Sequence, residues 1–424
     1  MRRVVVTGLG VLSPIGHGKM EYSRALREGR SGIRYFDSLK ELKFGCQVGG
    51  KPADEGRIKD YVTPEKLPMV NEAISYGIMA AVDAFRDADL MIPGRKDSHV
   101  YKDTGAIIGT GIGAADTLGE KIFPNIKAGK VRRLGSSVVE MTMVSAVAAK
   151  IGEILALGNQ VTTNSSACST GNEAIIMGFE RIQAGHADRM VVGGVEGSDP
   201  HIWGPFDAMR VLCRKFNDQP ERASRPMSES AAGFVPGSGC GILIIEELET
   251  ARKRGAPIYA EILAGNINSG GMRNGGTMTA PGADGARECI RNTIRKAGIE
   301  PTDIDYINGH LTGTMADPLE IENWSAALGL GPDKFPMINA TKSMIGHGLG
   351  ASGALETVAT VLQMHEGFVH PSLNCEDMHP LIKPFHDSIV QETRESAIKT
   401  AVKASFGFGD VNSCIILKHW ETSS

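Results

Sequence analysis

At 424 residues, with 42% hydrophobic and 22% charged side chains, the chain is an ordinary globular protein long enough for two or three domains' worth of core. A formal net charge of -4 and 5% aromatic residues exclude a general nucleic-acid binder, which needs a basic face and rings for base stacking. Seven cysteines, at 46, 168, 213, 240, 289, 375 and 414, are odd in number and lack CxxC or Cys/His spacing, which points to a reducing compartment, the cytoplasm, and to no zinc.

Residues 3–7 read as a strand, and Gly8, Gly10 and Ser13-Pro14 cut the apolar run too early for a signal peptide. Residues 8–16 read as a loop, without the third glycine and helix start of a dinucleotide site. An amphipathic helix is predicted over 66–90, a strand over 104–108 and a glycine turn over 109–114. Lys127, Lys130, Arg132 and Arg133 form a basic run in an acidic chain, by charge patterning alone a solvated loop. Residues 136–157 read as a buried helix; Glu140, Lys150 and Glu153 keep this stretch from spanning a membrane.

Thr163-Asn-Ser-Ser-Ala-Cys168-Ser-Thr-Gly171 is a small-residue turn before a helix whose apolar face is Ile175, Phe179 and Ile182. A thiol there meets unpaired N–H groups and the positive end of a helix dipole, which favour a thiolate. Taken alone, a lone cysteine is more often structural. A buried strand follows at 190–195, then an irregular stretch over 200–240, a strand at 241–247 and a short helix ending at Gly255. The pattern then restarts: a strand from 256, a helix at 284–297, a strand at 306–308, a helix at 317–328, a short strand near 337, a helix at 350–366, and strands near 389–394 and 413–418. Two comparable β/α blocks, 1–255 and 256–424, suggest a duplication of fold.

The second block holds Asn308-Gly-His310-Leu-Thr-Gly-Thr314, Lys342-Ser-Met-Ile-Gly-His347-Gly-Leu-Gly-Ala-Ser-Gly353 and Ser405-Phe406-Gly-Phe-Gly-Asp-Val-Asn412. Either histidine alone is more often a hydrogen-bonded core residue. Together with the Cys168 turn, with Val5-Val-Thr-Gly-Leu-Gly and with Gly185-His-Ala-Asp-Arg-Met-Val-Val-Gly-Gly-Val-Glu196, they make the chain resemble the β-ketoacyl-(acyl-carrier-protein) synthases of the elongating, KAS II-like type, over nearly its whole length. The Cys–His–His set separates this type from initiating synthases (Cys–His–Asn) and from thiolases (Cys–His–Cys).

The resemblance implies an α/β thiolase fold: duplicated βαβαβαββ halves in a five-layered αβαβα sandwich, and a homodimer, with a heterodimer as the alternative. It implies decarboxylative condensation of malonyl-carrier with an acyl group held on Cys168, the nucleophile. The oxyanion donors would be the backbone N–H groups of Cys168 and Phe406, and Phe406 would gate the cysteine. His310 and His347 would hold the thioester oxygen through Nε2–H. Lys342 would stand near the first histidine and pair with Glu320, beside Asp317. Thr312, Thr314 and Thr279 would bind the phosphopantetheine arm, and Ile112 and Phe206 would line the acyl tunnel. No separate cofactor or metal is implied. The acyl carrier protein would dock on Lys127, Lys130, Arg132, Arg133 and Arg210.

Leu311, Ser238 and Asp410-Val411 depart from the family pattern, and the turn after Thr314 is one residue short. They raise an alternative: a specialised ketosynthase subunit of a heterodimer in secondary lipid or polyene synthesis. Three further rivals are a non-catalytic chain-length partner, which would lack Cys168; a nucleotide-binding module on the glycine loops; and a thiolase, which would need a second catalytic cysteine where Cys414 does not stand.

Overall fold

The computed structural model describes residues 1–53, 56–94 and 96–421. Its elements repeat one order twice. The first run is β1 (Val4–Ser13), α1 (Glu72–Asp87), β2 (Thr104–Gly109), α2 (Ala146–Leu155), β3 (Val161–Thr162), α3 (Thr170–Gln183), β4 (Arg189–Glu196) and β5 (Gly239–Glu247). The second is β6 (Ala260–Ser269), α4 (Ala283–Ala297), β7 (Tyr306–Asn308), α5 (Asp317–Leu328), β8 (Met337–Asn339), α6 (Ser352–Glu366), β9 (Thr400–Gly407) and β10 (Val411–His419). Shorter elements lie in the connections.

Strand layout repeats as well. β3, β2 and β4 run parallel, followed by antiparallel β5 and β1; β8, β7 and β9 run parallel, followed by antiparallel β10 and β6. The halves join where Val4–Val6 of β1 pair with residues 260–262 of β6, making one 11-stranded sheet. α3 and α6 lie between the halves and touch strands of both; α1 and α2 cover the outer face of the first, and α4 and α5 that of the second. These are the five layers expected. Strand β5 shows why its sequence is apolar without alternation: Ile242 and Ile244 face α1 and α2, while Leu243 and Ile245 face α3 and α6.

Four expectations are corrected. Residues 8–16 are not all loop, since β1 runs on to Ser13. Its glycines mark where α1 crosses: a Cβ on Gly10 would stand 1.8 Å from the Ala80 carbonyl oxygen, and one on Gly8 2.3 Å from that of Ala84. The helix at 136–157 is two, Val138–Thr142 and α2, with Val139, Met143 and Val144 exposed at the break. The stretch 200–240 opens with a helix, Pro200–Ala208, because Asp199 caps the His201 N–H and Pro200 fits the first helical turn. The sheet strand sought at 389–394 is β9; wholly buried Lys403 puts a charge in its middle and hides the apolar pattern. Among the described residues no helix is long and apolar enough to cross a membrane.

Candidate active site

The nucleophile turn leaves β3 and enters α3 through Ala167, held at φ 49°, a left-handed conformation that costs a non-glycine residue about 1–3 kcal/mol. Hydrogen bonds pin it: the Thr170 hydroxyl donates to the Ala167 carbonyl (2.7 Å) and accepts the Ser166 N–H (2.8 Å). The Ser169 hydroxyl reaches the Ser405 and Val411 carbonyls, both at 3.1 Å, tying the turn to β9 and β10. Cys168 therefore stands at the N-terminal end of α3, as its sequence implies.

Glycines bring the second half to it. The N-terminal turns of α3 and α6 touch backbone to backbone: a Cβ on Gly171 would lie 2.7 Å from the Ala354 nitrogen, and one on Gly353 2.7 Å from the Asn172 nitrogen. The loops preceding the two helices, which carry Cys168 and His347, are thereby forced together. His310 comes in on the loop after β7. The Cys168 sulfur and one ring nitrogen from each histidine all lie within 4.8 Å of one another. The imidazole planes of His310 and His347 stand edge to face, with centroids 5.3 Å apart.

Donors fix both tautomers. His347 Nδ1 accepts the Leu349 N–H at 3.1 Å and lies 2.8 Å from the Ser352 hydroxyl. His310 Nδ1 faces the Lys342 ammonium at 3.4 Å, a group that only donates. In each ring the proton is left on Nε2. Burial, with Lys342 adding to it, holds both imidazoles well below the usual 6.5, so both are neutral at pH 7. Burial also pushes the Cys168 thiol up to about 11, against the pull of Lys342 and of the Phe408 and Cys168 N–H groups. The resting sulfur is thus a thiol, where the helix end alone had suggested a thiolate. A Cys–His–His set suits zinc by element. Here it offers two N–H donors and a thiol instead of three lone pairs.

Two expected partnerships are corrected. Lys342 pairs with Glu356 of α6, not with Glu320; Lys403 also pairs with Glu356, 2.7 Å from Oε2. Glu320 and Asp317 do different work. The Glu320 carboxylate accepts the His310 and Leu311 N–H groups at 2.6 and 2.7 Å, and that of Asp317 accepts those of Thr312 and Gly313 at 2.9 and 3.0 Å. They shape the histidine loop by its backbone. The second correction concerns the oxyanion donor. The other backbone N–H turned on the Cys168 sulfur is that of Phe408, not Phe406; the Phe406 ring packs edge-on to His310, centroids 6.2 Å apart. Glu356 and Lys403 were missed. A signal existed for the first, since Glu356 is the only acidic or basic residue, histidine aside, between Lys342 and His365.

A cavity of about 610 Å³ opens over the cysteine, lined by Cys168, His310, His347, Thr279, Thr312, Thr314, Phe206, Phe406 and Phe408, with exposed Arg210 and Met315 also on its wall. The hydroxyls of Thr312 and Thr314 lie 2.9 Å apart. Ile112 is not part of this wall; it is 42% exposed, with its N–H on the Glu196 carboxylate. Lys127, Lys130, Arg132 and Arg133 are exposed and also outside the lining. Leu311 is core, and the Ser238 hydroxyl donates to the Gly50 carbonyl at 3.2 Å.

The family profile described as Beta-ketoacyl synthase, N-terminal domain, matches residues 1–251, and that of Beta-ketoacyl synthase, C-terminal domain, residues 259–376. The chain is 35% identical to 3-oxoacyl-[acyl-carrier-protein] synthase I, chloroplastic, of Arabidopsis thaliana, over 98% of this chain and 86% of that protein. Among solved structures it is similar to a chain of a type II polyketide acyl-carrier protein in complex with its ketosynthase bound to the hexaketide (29% identity, TM-score 0.86, covering 99% of this chain and 100% of that one). The ishigamide ketosynthase/chain length factor gives 28% identity and a TM-score of 0.89, over 99% of this chain and 100% of that one.

Proposed function

The chain belongs to the β-ketoacyl synthase family, acyltransferases that condense malonyl-carrier with an acyl group, and from that premise we propose how its residues divide the reaction. Cys168 takes the acyl group from a carrier thioester. Its sulfur gives up a proton and the departing carrier sulfur gains one, so the exchange balances. The Lys342 charge and the N–H groups of Cys168 and Phe408 favour the thiolate and then the tetrahedral oxyanion.

Malonyl-carrier enters next, its arm along Thr279, Thr312 and Thr314. The C–C bond to the carboxylate breaks and CO2 leaves, so the electron pair passes into an enolate without a base. The Nε2–H groups of His310 and His347 hold the enolate oxygen. Neutral imidazoles suit this task, because they donate without first losing charge to burial. The enolate carbon attacks the acyl thioester, the Cys168 sulfur leaves as a thiolate and regains its proton from solvent, and the chain is two carbons longer. What carries this reading is that both donors facing the cysteine are fixed in the same tautomer. Intact-mass measurement tests it. Cys168→Ala should load no acyl group, whereas His310→Ala and His347→Ala should load one and fail to extend it; extension by any of the three overturns the assignment.

The partner proposed is an acyl carrier protein, docking on the exposed cations Lys127, Lys130, Arg132, Arg133 and Arg210. We also propose a homodimer. Phe123, Ile126, Val131, Val139, Met143 and Val144 are each more than 40% exposed within a short length of chain, apolar surface that a second copy would cover. Sedimentation at twice 45.1 kDa checks it. Cytoplasmic residence is supported by seven unpaired cysteines.

A further inference from the structure

Asp410 sits wholly buried in the turn between β9 and β10, at φ 58°. The turn itself asks only for a left-handed residue, which glycine satisfies at least as well. The acid adds bonds to a different segment, residues 270–282. Its Oδ2 accepts the Met272 N–H at 2.9 Å, its Oδ1 the Gly282 N–H at 2.7 Å, and its backbone carbonyl the Gly270 N–H at 2.9 Å. Next to it, the Gly409 N–H donates to the Met278 carbonyl at 2.8 Å. The start, middle and end of the segment are thus tied to one turn.

The segment is shaped for the carboxylate. A Cβ on Gly270 would stand 2.3 Å from Asp410 Oδ2, and one on Gly276 2.5 Å from it. Both ends of this linkage reach the cavity. Thr279, Ala280 and Pro281 line it from the segment, and Phe406 and Phe408 line it from β9 and the turn. Hydrogen bonds from backbone N–H groups to a carboxylate are among the stronger ones in proteins. Without them a glycine-rich segment would have to be ordered by each substrate as it binds, which weakens affinity.

We propose that Asp410 is a positioning residue that clasps segment 270–282 to the β9–β10 turn and so sets the affinity for the pantetheine arm of carrier-borne substrate; this rests on reading the cavity as a carrier-thioester site. Asp410→Gly keeps the left-handed backbone and removes the carboxylate, and Asp410→Asn, which keeps one acceptor oxygen, covers the case in which the glycine variant does not fold. For Asp410→Gly the KM for malonyl-carrier should rise about tenfold, while kcat and acylation of Cys168 by a small thioester lacking the pantetheine arm stay within about twofold. Asp410→Asn should fall between it and the unaltered protein. Hydrogen exchange at Met272 and Gly282 should quicken in the same order. Equal losses with both substrates, or an unchanged KM, overturn the proposal. Should the unaltered protein take no acyl group from a carrier, the carrier reading is what fails; unaltered exchange at 270–282 in both variants would still overturn the clasp.

Discussion

Glu320 holds the histidine loop through the N–H groups of His310 and Leu311, with the Trp324 indole 3.3 Å away, and Asp317 sits beside it under the same loop. Burial, then the Asp317 charge, pushes Glu320 up to about 7. A free glutamate titrates near ~4.3. Between those values the folded chain keeps a proton that the unfolded chain has lost. Stability contributed by that proton is present below the lower value and is lost as pH rises through the window, by about 4 kcal/mol at most. Glu320→Gln cannot ionise, and its amide nitrogen leaves one backbone N–H without an acceptor, so it should be less stable by about 1–3 kcal/mol overall. Urea unfolding at pH 5 and pH 7 should show the original protein losing stability between them and the variant losing markedly less. Parallel slopes would remove Glu320 from that role. At this scale the sequence marks Cys168, His310 and His347 as reactive. It does not reveal that Glu320 serves the backbone while Glu356 serves Lys342, because both acids lie within 22 positions of the lysine and packing, not distance along the chain, chooses between them.

The contact between α3 and α6 is what makes a site of two halves. Its small residues, Gly171, Gly353 and Ala354, let two helix N-termini meet at backbone distance. Gly353→Ala would place a methyl 2.7 Å from the Asn172 nitrogen and 3.0 Å from its side-chain oxygen, so the helices must part by a few tenths of an ångström. Stability should drop by about 1–3 kcal/mol in chemical denaturation. Condensation should slow by tenfold or more, since catalysis is steep in the relative placement of reacting groups, roughly 10²-fold for 1 Å. Acyl loading, which needs Cys168, the Lys342 charge and the Phe408 N–H but neither histidine, should suffer less; an equal loss in both would contradict this geometry. The helix α5 and the strands β7 and β8 lie where the sequence predicts them. Gly8 and Gly10 mislead because the reason for them is α1, far along the chain.

Across the whole molecule, the same strand order in both halves and their union through β1 and β6 put the cysteine and the histidines on opposite sides of one seam. Of the basic residues proposed for carrier docking, Lys127, Lys130, Arg132 and Arg133 are exposed and stand outside the cavity, where charge steers encounter more than it holds the complex, while Arg210 is exposed on the cavity wall. Reversing Arg132 and Arg133 to Glu should raise the KM for carrier-bound substrate severalfold at low ionic strength and leave small thioesters unaffected. The gap should shrink with added salt. A matching loss on small thioesters would assign these residues to structure instead.

Cysteine at a turn, two histidines in glycine-rich loops, a doubled β/α order and the family resemblance all follow from the sequence, because each is a local pattern or an ordered set of local patterns. Which N–H faces the sulfur, which acid meets Lys342, whether Ile112 reaches the cavity and what Asp410 grips were decided only when the chain closed on itself. Those are relations between residues a hundred or more positions apart, or, for Lys342 and Glu356 and for the two phenylalanines, between near neighbours whose direction is set by the packing around them. A buried charge or a glycine shows in the sequence that something must approach; the packed layers determine what does.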